Sequence, residues 1–474
     1  MADQLIPHLT GAYGHPVVRT PNLERLASRG VRFDAACTPH PLCAPARACL
    51  VSGRLSTDIG VYDNAAPLDC DTPTIAHYLT AAGYDTAVAG KMHFVGPDQH
   101  HGFRHRISHD IYPADFEWTR SRDHKRPRTH ARGYVASGIR IVDPAATERR
   151  PRTLVLDEEA HEAGLAYLRN RAADRRPFFL TISYNHPHEP FHPLREFWDM
   201  YEGQTIPIPE YPPDLDARWS AMDRWLNVYH GCDQVDLRDP KSLTTLHRAY
   251  YALVSYLDRQ VGRILDELER LGLADNTVVL FVSDHGDMLA QKGMVQKRCF
   301  YEWSSRVPMI LALPDGRHAG RTVPAPVSLV DVFPTLLELA GLRRDRHLPL
   351  EGRSLLGHLS GEVNPDRPVF CEQHSEAVYT TCFMVRRGQY KYIDIHGHDA
   401  QLFDLAADPA EWNNLAGDPD YRELERDLQG LILERFDPEA IERDLRASLA
   451  RREFIREAMR QHKPDWAFEP DPVT

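Results

Sequence analysis

Three short polar clusters carry the groups best suited to chemistry: "VVLFVSDHGDML", "GKMH" and "NHPHEPF". In the first, an apolar run leads directly into Ser283, Asp284 and His285, so a carboxylate and an imidazole arrive together at a strand end and could hold a divalent cation. Capping of a following helix by Asp284 or Ser283 explains that cluster alone equally well. The other two clusters place Lys91 and His93, and then His186 and His188, after further apolar runs. Three strand ends bearing cationic or imidazole groups favour one site for an oxyanion over three solvated loops. Cys43 sits between two prolines in "PLCAPARACL", with Arg47 four residues on. By itself it reads as a small buried thiol, and Lys297 in "MVQKRCFYE" as a surface lysine.

Such groups need a sheet to present them. Apolar runs at 84–90, 177–183, 277–282 and 307–313 alternate with helical segments at 21–30, 72–83, 158–172 and 243–271. This rhythm predicts an α/β fold with a large mixed, mostly parallel sheet sandwiched by helices. After "NPDRPVF" the pattern changes to short strands at 368–373, 380–386, 389–394 and 400–404, then a terminal helix and an arginine-rich tail. A catalytic domain over 1–365 and a smaller C-terminal α+β subdomain over 366–474 are therefore expected. The segment 100–155, rich in His, Arg and Pro, reads as a lid or interface insertion.

The whole chain of 474 residues, 42% apolar, can bury a sizeable core. No apolar run is long enough to span a bilayer, the N-terminus lacks a signal-peptide pattern, and a cytoplasmic location is expected. A net charge of −12 opposes a nucleic-acid surface. The eight cysteines are scattered without a CxxC pair, so most should be reduced.

Taken together, "CAPAR", "GKMH", "PHEPF", "SDHG" and Lys297, in that order behind Asp3, resemble the type I sulfatases of the alkaline phosphatase superfamily. "QLFDLAADPAEWNNLA" resembles that family's closing signature, and "GVYDNAAPL", "GKMHFVGPDQHHGF" and "DIYPADFEWT" its choline sulfatase branch. The resemblance implies an alkaline phosphatase-like fold and hydrolysis of a sulfate ester, choline sulfate first among them. It implies that a sulfatase-maturing enzyme oxidises Cys43 to formylglycine, whose hydrate attacks sulfur. It further implies a divalent metal, calcium before magnesium or manganese, held by Asp3, Cys43, Asp284 and His285 with Gln4 adjoining.

On the same basis Arg47, Lys91 and Lys297 neutralise sulfate, His188 protonates the leaving alcohol and His93 is the base that breaks the hemiacetal. Asn64 would reach a sulfate oxygen. Trp118, with His130 and Glu376, would form the wall for a quaternary ammonium. The family habit implies a homo-oligomer.

The chain departs from the pattern at three places. Position 46 is alanine where the family has serine, and the tail reads "KPDWAFEP" where the branch carries "PWD". The family's metal-binding aspartate follows an apolar strand, whereas Asp3 follows only Met1 and Ala2, so the natural start is expected upstream. Phosphonate monoester or phosphodiester hydrolysis, and an inactive truncated binding homologue, are the competing readings.

Overall fold

The computed structural model describes residues 1–119, 150–174, 176–232, 236–342, 350–361, 364–462, 466 and 468–471. Among the described residues seven strands build the larger part: β1 (Val31–Cys37), β2 (Asp85–Gly90), β3 (His105–Arg106), β4 (Phe178–Ser183), β5 (Val279–Val282), β6 (Met309–Ala312) and β7 (Arg321–Ser328). They run in the orders β3-β2-β4 and β5-β6-β1-β7. β2 pairs in parallel with β3 and β4, and β1 with β7, while β6 runs antiparallel to both β5 and β1. Residues 1–3 lie between the two sets at the ends of β4 and β5. The Tyr184 amide donates to Met1 O at 3.0 Å, and Ala2 donates to Val282 O at 2.8 Å.

The four expected apolar runs are β2, β4, β5 and β6; β1, with its alternating burial, joins β7 beside β6, and β3 joins β2. β2 is buried along its whole length, as a strand covered on both faces must be. Helices α1 (Pro21–Arg29), α2 (Cys43–Ser52), α3 (Arg152–Arg171), α4 (Pro240–Arg270) and α5 (Val332–Leu339) cover it. α4 starts with Pro240 in its first turn and Asp239 accepting from Ser242 N at 2.9 Å. Its Leu246, Tyr250, Leu253, Leu257, Val261 and Leu265 recur at three-to-four spacing and join one core cluster with Leu5, Ile6, Phe281 and Ile310.

The C-terminal part is an antiparallel sheet in the order β11-β10-β9-β8, formed by β8 (Val369–Gln373), β9 (Cys382–Arg387), β10 (Tyr390–Ile395) and β11 (Gln401–Asp404). Two helices rather than one follow it, α6 (Arg422–Arg435) and α7 (Pro438–Ala458). Pro438 in the first turn and Asp437, which accepts from Ala440 N, start the second after a break. Leu428, Ile432, Leu445 and Leu449 share a core cluster with Phe383, Val385 and Leu402 of this sheet and with Ala48 and Val51 of α2. Burying each such side chain is worth about 1.5–3 kcal/mol, which ties the C-terminal sheet to the helix that begins at Cys43. Among the described residues no helix is long and apolar enough to cross a membrane.

Candidate active site

β2 and β4 approach most closely where they end. Gly90 has φ 84°, and a Cβ there would lie 2.0 Å from Ser183 O, so only glycine lets the chain turn at this point. The Lys91 amide then bonds Ser183 O at 2.9 Å, and the lysine side chain enters the space beyond both strands. From β4 the chain continues into Asn185 and His186, whose amides donate to the Asp157 carboxylate of α3 at 2.6 and 3.0 Å. β5 delivers Asp284 and His285, with Ser283 Oγ accepting from Leu5 N at 2.9 Å. α2 brings Cys43 and Arg47, both fully buried.

These elements converge on one atom. Cys43 Sγ lies 3.1 Å from His285 Nε2, 3.8 Å from Lys91 Nζ and 3.9 Å from Asp3 Oδ1. Asp3, Cys43, Asp284 and His285 each offer a donor atom within 4.8 Å of the others, all buried. Arg47 binds both carboxylates, Asp3 at 2.9 Å and Asp284 at 2.8 Å, and also contacts Lys91 O. Lys91 pairs with Asp3 as well. Two carboxylates, an imidazole and the atom at position 43 form an oxygen- and nitrogen-rich set that fits a divalent cation.

A second group faces this set. Lys297 Nζ sits 2.8 Å from His188 Nε2 and also meets Gln4 Oε1, and Gln4 Nε2 donates to Glu189 at 2.6 Å and to Asp287. Gln4 thus links Lys297 to two buried carboxylates. Lys297 is buried, not the surface lysine that its type alone predicts.

The electrostatics follow from this crowding. Burial alone would raise the Cys43 thiol, but Lys91, Lys297 and His285 outweigh it and hold the group well below its ordinary value. Burial and the Cys43 sulfur would raise the Asp3 carboxyl, yet Lys91, His188 and Arg47 keep it below the usual carboxylate range. Burial lowers the His285 imidazole, and Asp284 and Cys43 more than restore it, to above its ordinary value. Burial, aided by Glu189, lifts Asp287 to about 6. The site stabilises an anion at position 43.

The remaining predicted residues take varied places. Asn64 Oδ1 accepts from Ala44 N at 3.0 Å and so caps the start of α2, one residue from Cys43. Trp118 stands edge-on to His93 with ring centroids 5.6 Å apart. Glu376 accepts from Asn64 N at 2.8 Å and pairs with Arg298 at 2.8 Å, so its carboxylate is engaged from two sides. His130 lies outside the described residues.

Tyr112 and Asn185 were not singled out from sequence. Tyr112 stacks on His93 at 4.4 Å, lies under Lys91 Nζ at 4.1 Å and brings its hydroxyl to 3.4 Å from His188. Asn185 accepts from Lys91 Nζ at 3.5 Å. Each lies inside a cluster that drew notice, "DIYPADFEWT" and "NHPHEPF", where the tyrosine is outranked by Trp118 and the asparagine by the histidines beside it.

Known proteins resemble this chain in sequence and in fold. The profile of the Sulfatase family matches residues 1–342, and that of the N-sulphoglucosamine sulphohydrolase C-terminal region matches 290–436. The chain is 39% identical to the choline-sulfatase of Rhizobium meliloti over 482 aligned residues, covering 97% of this chain and 90% of that protein. It is 30% identical to a multifunctional alkaline phosphatase superfamily protein of Trinickia caryophylli, covering 89% and 90%. Among solved structures, the phosphonate monoester hydrolase of Agrobacterium radiobacter aligns with a TM-score of 0.73 at 25% identity, covering 94% of each chain.

Proposed function

Because the chain belongs to the sulfatase family and is a sulfuric ester hydrolase, we propose that its substrate is choline sulfate, cleaved to choline and sulfate. The observation that carries this reading is the aromatic wall of Tyr112 and Trp118, ring centroids 4.8 Å apart, set beside the cations that face position 43. A quaternary ammonium has no N–H to donate and is held by aromatic faces. With His93 stacked on Tyr112 and the Lys91 ammonium over the same ring, Trp118 is the ring offered to the quaternary ammonium.

Asp3, Asp284 and His285, with the group at position 43, would hold a divalent cation, calcium foremost, which supplies positive charge against sulfate oxygens. Oxidised to formylglycine by a maturing enzyme, position 43 would supply a hydrated aldehyde, with one hydroxyl for attack and a second for release. Arg47 orients Asp3 and Asp284 and adds a fixed charge at the start of α2. Lys91 and Lys297 approach from two sides, placed to hold the outer sulfate oxygens and offset charge as it builds. His188, between Lys297 and Tyr112, donates a proton to the departing choline oxygen. His93 accepts a proton from the group at position 43.

A cytoplasmic homo-oligomer is part of the same reading. It is supported by the scatter of the eight cysteines, with no CxxC pair, and by Phe454 and Leu433 standing 74% and 58% exposed on α7 and α6. The similarity to a phosphonate monoester hydrolase favours phosphodiester or phosphonate turnover as the second reading.

The test is to co-express the chain with a maturing enzyme, verify the aldehyde by mass spectrometry of the Cys43 peptide, and compare kcat/KM on choline sulfate, p-nitrophenyl sulfate and bis-p-nitrophenyl phosphate. Choline sulfate should exceed the others by 10-fold or more, on the order of 1.4 kcal/mol. Preference for the phosphodiester would overturn the assignment, and an unmodified thiol would remove the mechanism.

A further inference from the structure

His93 has no side-chain hydrogen bond: its Nδ1 and Nε2 are both buried without a partner. Its backbone holds φ 59°, the left-handed region that a non-glycine residue keeps only where its surroundings impose it. What fixes the ring is therefore the backbone beneath it and the Tyr112 ring stacked on it at 4.4 Å. Both are held by one carboxylate. Asp110 Oδ2 accepts from Met92 N and His93 N, each at 2.8 Å, and Asp110 Oδ1 accepts from Tyr112 N at 3.2 Å.

Asp110 is itself fixed. Arg106 Nη2 donates to Asp110 Oδ2 at 2.7 Å, and the same guanidinium donates through Nη1 to Gln99 O and Oε1 at 2.8 and 2.7 Å. The Arg106 backbone forms a reciprocal pair with Asp471 near the C-terminus, at 3.1 and 2.9 Å. A chain of contacts thus runs from the C-terminal segment through Arg106 and Asp110 to the histidine and tyrosine of the site.

We propose that Asp110 is a positioning residue for catalysis: by binding the backbones of His93 and Tyr112 together it holds the His93 ring in register with position 43 and Tyr112 against Lys91 and His188. Arg106 keeps the Asp110 carboxylate in place. The inference deepens the reading above, since it rests on His93 taking a proton during turnover. A misplaced proton acceptor costs rate more than substrate affinity, because binding is carried by Lys91, Lys297 and the aromatic wall.

The experiment is a double-mutant cycle on the matured enzyme with p-nitrophenyl sulfate and choline sulfate. Asp110→Ala should lower kcat by roughly 100-fold, the scale of a misplaced catalytic group, with KM for p-nitrophenyl sulfate, which makes no use of the choline wall, changed by less than about 3-fold. Asp110→Asn, whose one amide oxygen still accepts from Met92 N and His93 N while its NH2 cannot accept from Tyr112 N, should recover about 10-fold of that loss. In the His93→Ala background, Asp110→Ala should cost no more than about 2-fold further.

Losses that multiply in the double variant, or a kcat unchanged in Asp110→Ala, would overturn the inference. A wild-type kcat in His93→Ala would instead overturn the proton-acceptor role of His93. A readout independent of turnover decides the positioning in that event. The Trp118 signal in near-ultraviolet circular dichroism, isolated by subtracting a Trp118→Phe variant, should shift in Asp110→Ala of the unmodified chain, because Trp118 touches both stacked rings. An unchanged signal would count against Asp110 holding the stack. Should Asp110→Ala fail to fold, the Asp110→Asn variant carries the same comparisons.

Discussion

Two buried, charge-dense regions of this molecule use the same ingredients to opposite ends. Beneath the C-terminal sheet, Lys391 pairs with Glu302 at 2.7 Å and Glu411 at 2.8 Å, Arg386 reaches Glu302 at 3.1 Å, and the Glu302 amide donates to Glu411 at 2.7 Å. These charges face each other. In the candidate active site Lys91, His285 and Asp3 face the sulfur of Cys43, while both His93 nitrogens remain without a partner. Mutual pairing marks a region that holds the fold; convergence on one atom marks a region kept for a ligand.

The largest effect that would test this contrast is on turnover. Cys43→Ala should abolish sulfate release from choline sulfate, by at least about 10⁴-fold, while leaving the melting temperature within a few degrees. A large loss of stability would make Cys43 structural and erase the distinction. Lys391→Ala should do the reverse, costing roughly 3–5 kcal/mol in urea unfolding because it leaves Glu411 buried without its cation and Glu302 with Arg386 alone. Lys391→Met, which keeps the volume, removes the same cation from Glu411 and should be similarly costly.

Metal binding comes next. Calcium at about 100 times its dissociation constant should raise unfolding stability by about 2.7 kcal/mol, reversibly on chelation, and Asp284→Asn should remove the effect. Persistence of the increment in Asp284→Asn would place the ion elsewhere.

The paired cluster also has a pH signature. Burial would raise the Glu302 carboxyl, but Arg386 and Lys391 hold it well below the usual range. Folding therefore favours its ionised form. That contribution is complete above the ordinary glutamate value and drains as pH falls below it, by roughly 2 kcal/mol. Glu302→Gln should flatten this acid limb in denaturant titrations between pH 6 and 3, and an unchanged slope would mean the cluster is not what acid disrupts. The smallest effect belongs to the aromatic wall. Trp118→Ala should raise KM for choline sulfate about 10-fold, near 1.4 kcal/mol, with little change for p-nitrophenyl sulfate.

Much of the site was readable because chemistry-bearing residues follow apolar strands directly, so that Lys91, His188, Asp284 and His285 announce themselves by type and by position. Lys297 and Cys43 were readable only through resemblance to a family, since an isolated lysine or thiol carries no periodic signal. Tyr112 and Asp110 escaped because their roles depend on rings and amides that the fold brings near them. β1 escaped because its polar Arg32 and Asp34 interrupt the apolar run that marked the other strands.

By itself, then, the sequence determined the local elements and their chemistry: the four C-terminal strands, the long helix α4 with its Asp239 and Pro240 start, and which strand ends carry cations and carboxylates. Periodicity and capping act over a few residues, so they can be read from a few residues. Only the tertiary structure decided that β6 runs antiparallel to its neighbours, that Arg298 occupies Glu376, and that Asp110 joins the backbones of His93 and Tyr112. These are pairings of residues far apart in the chain, and their energies exist only once burial has removed water from between them.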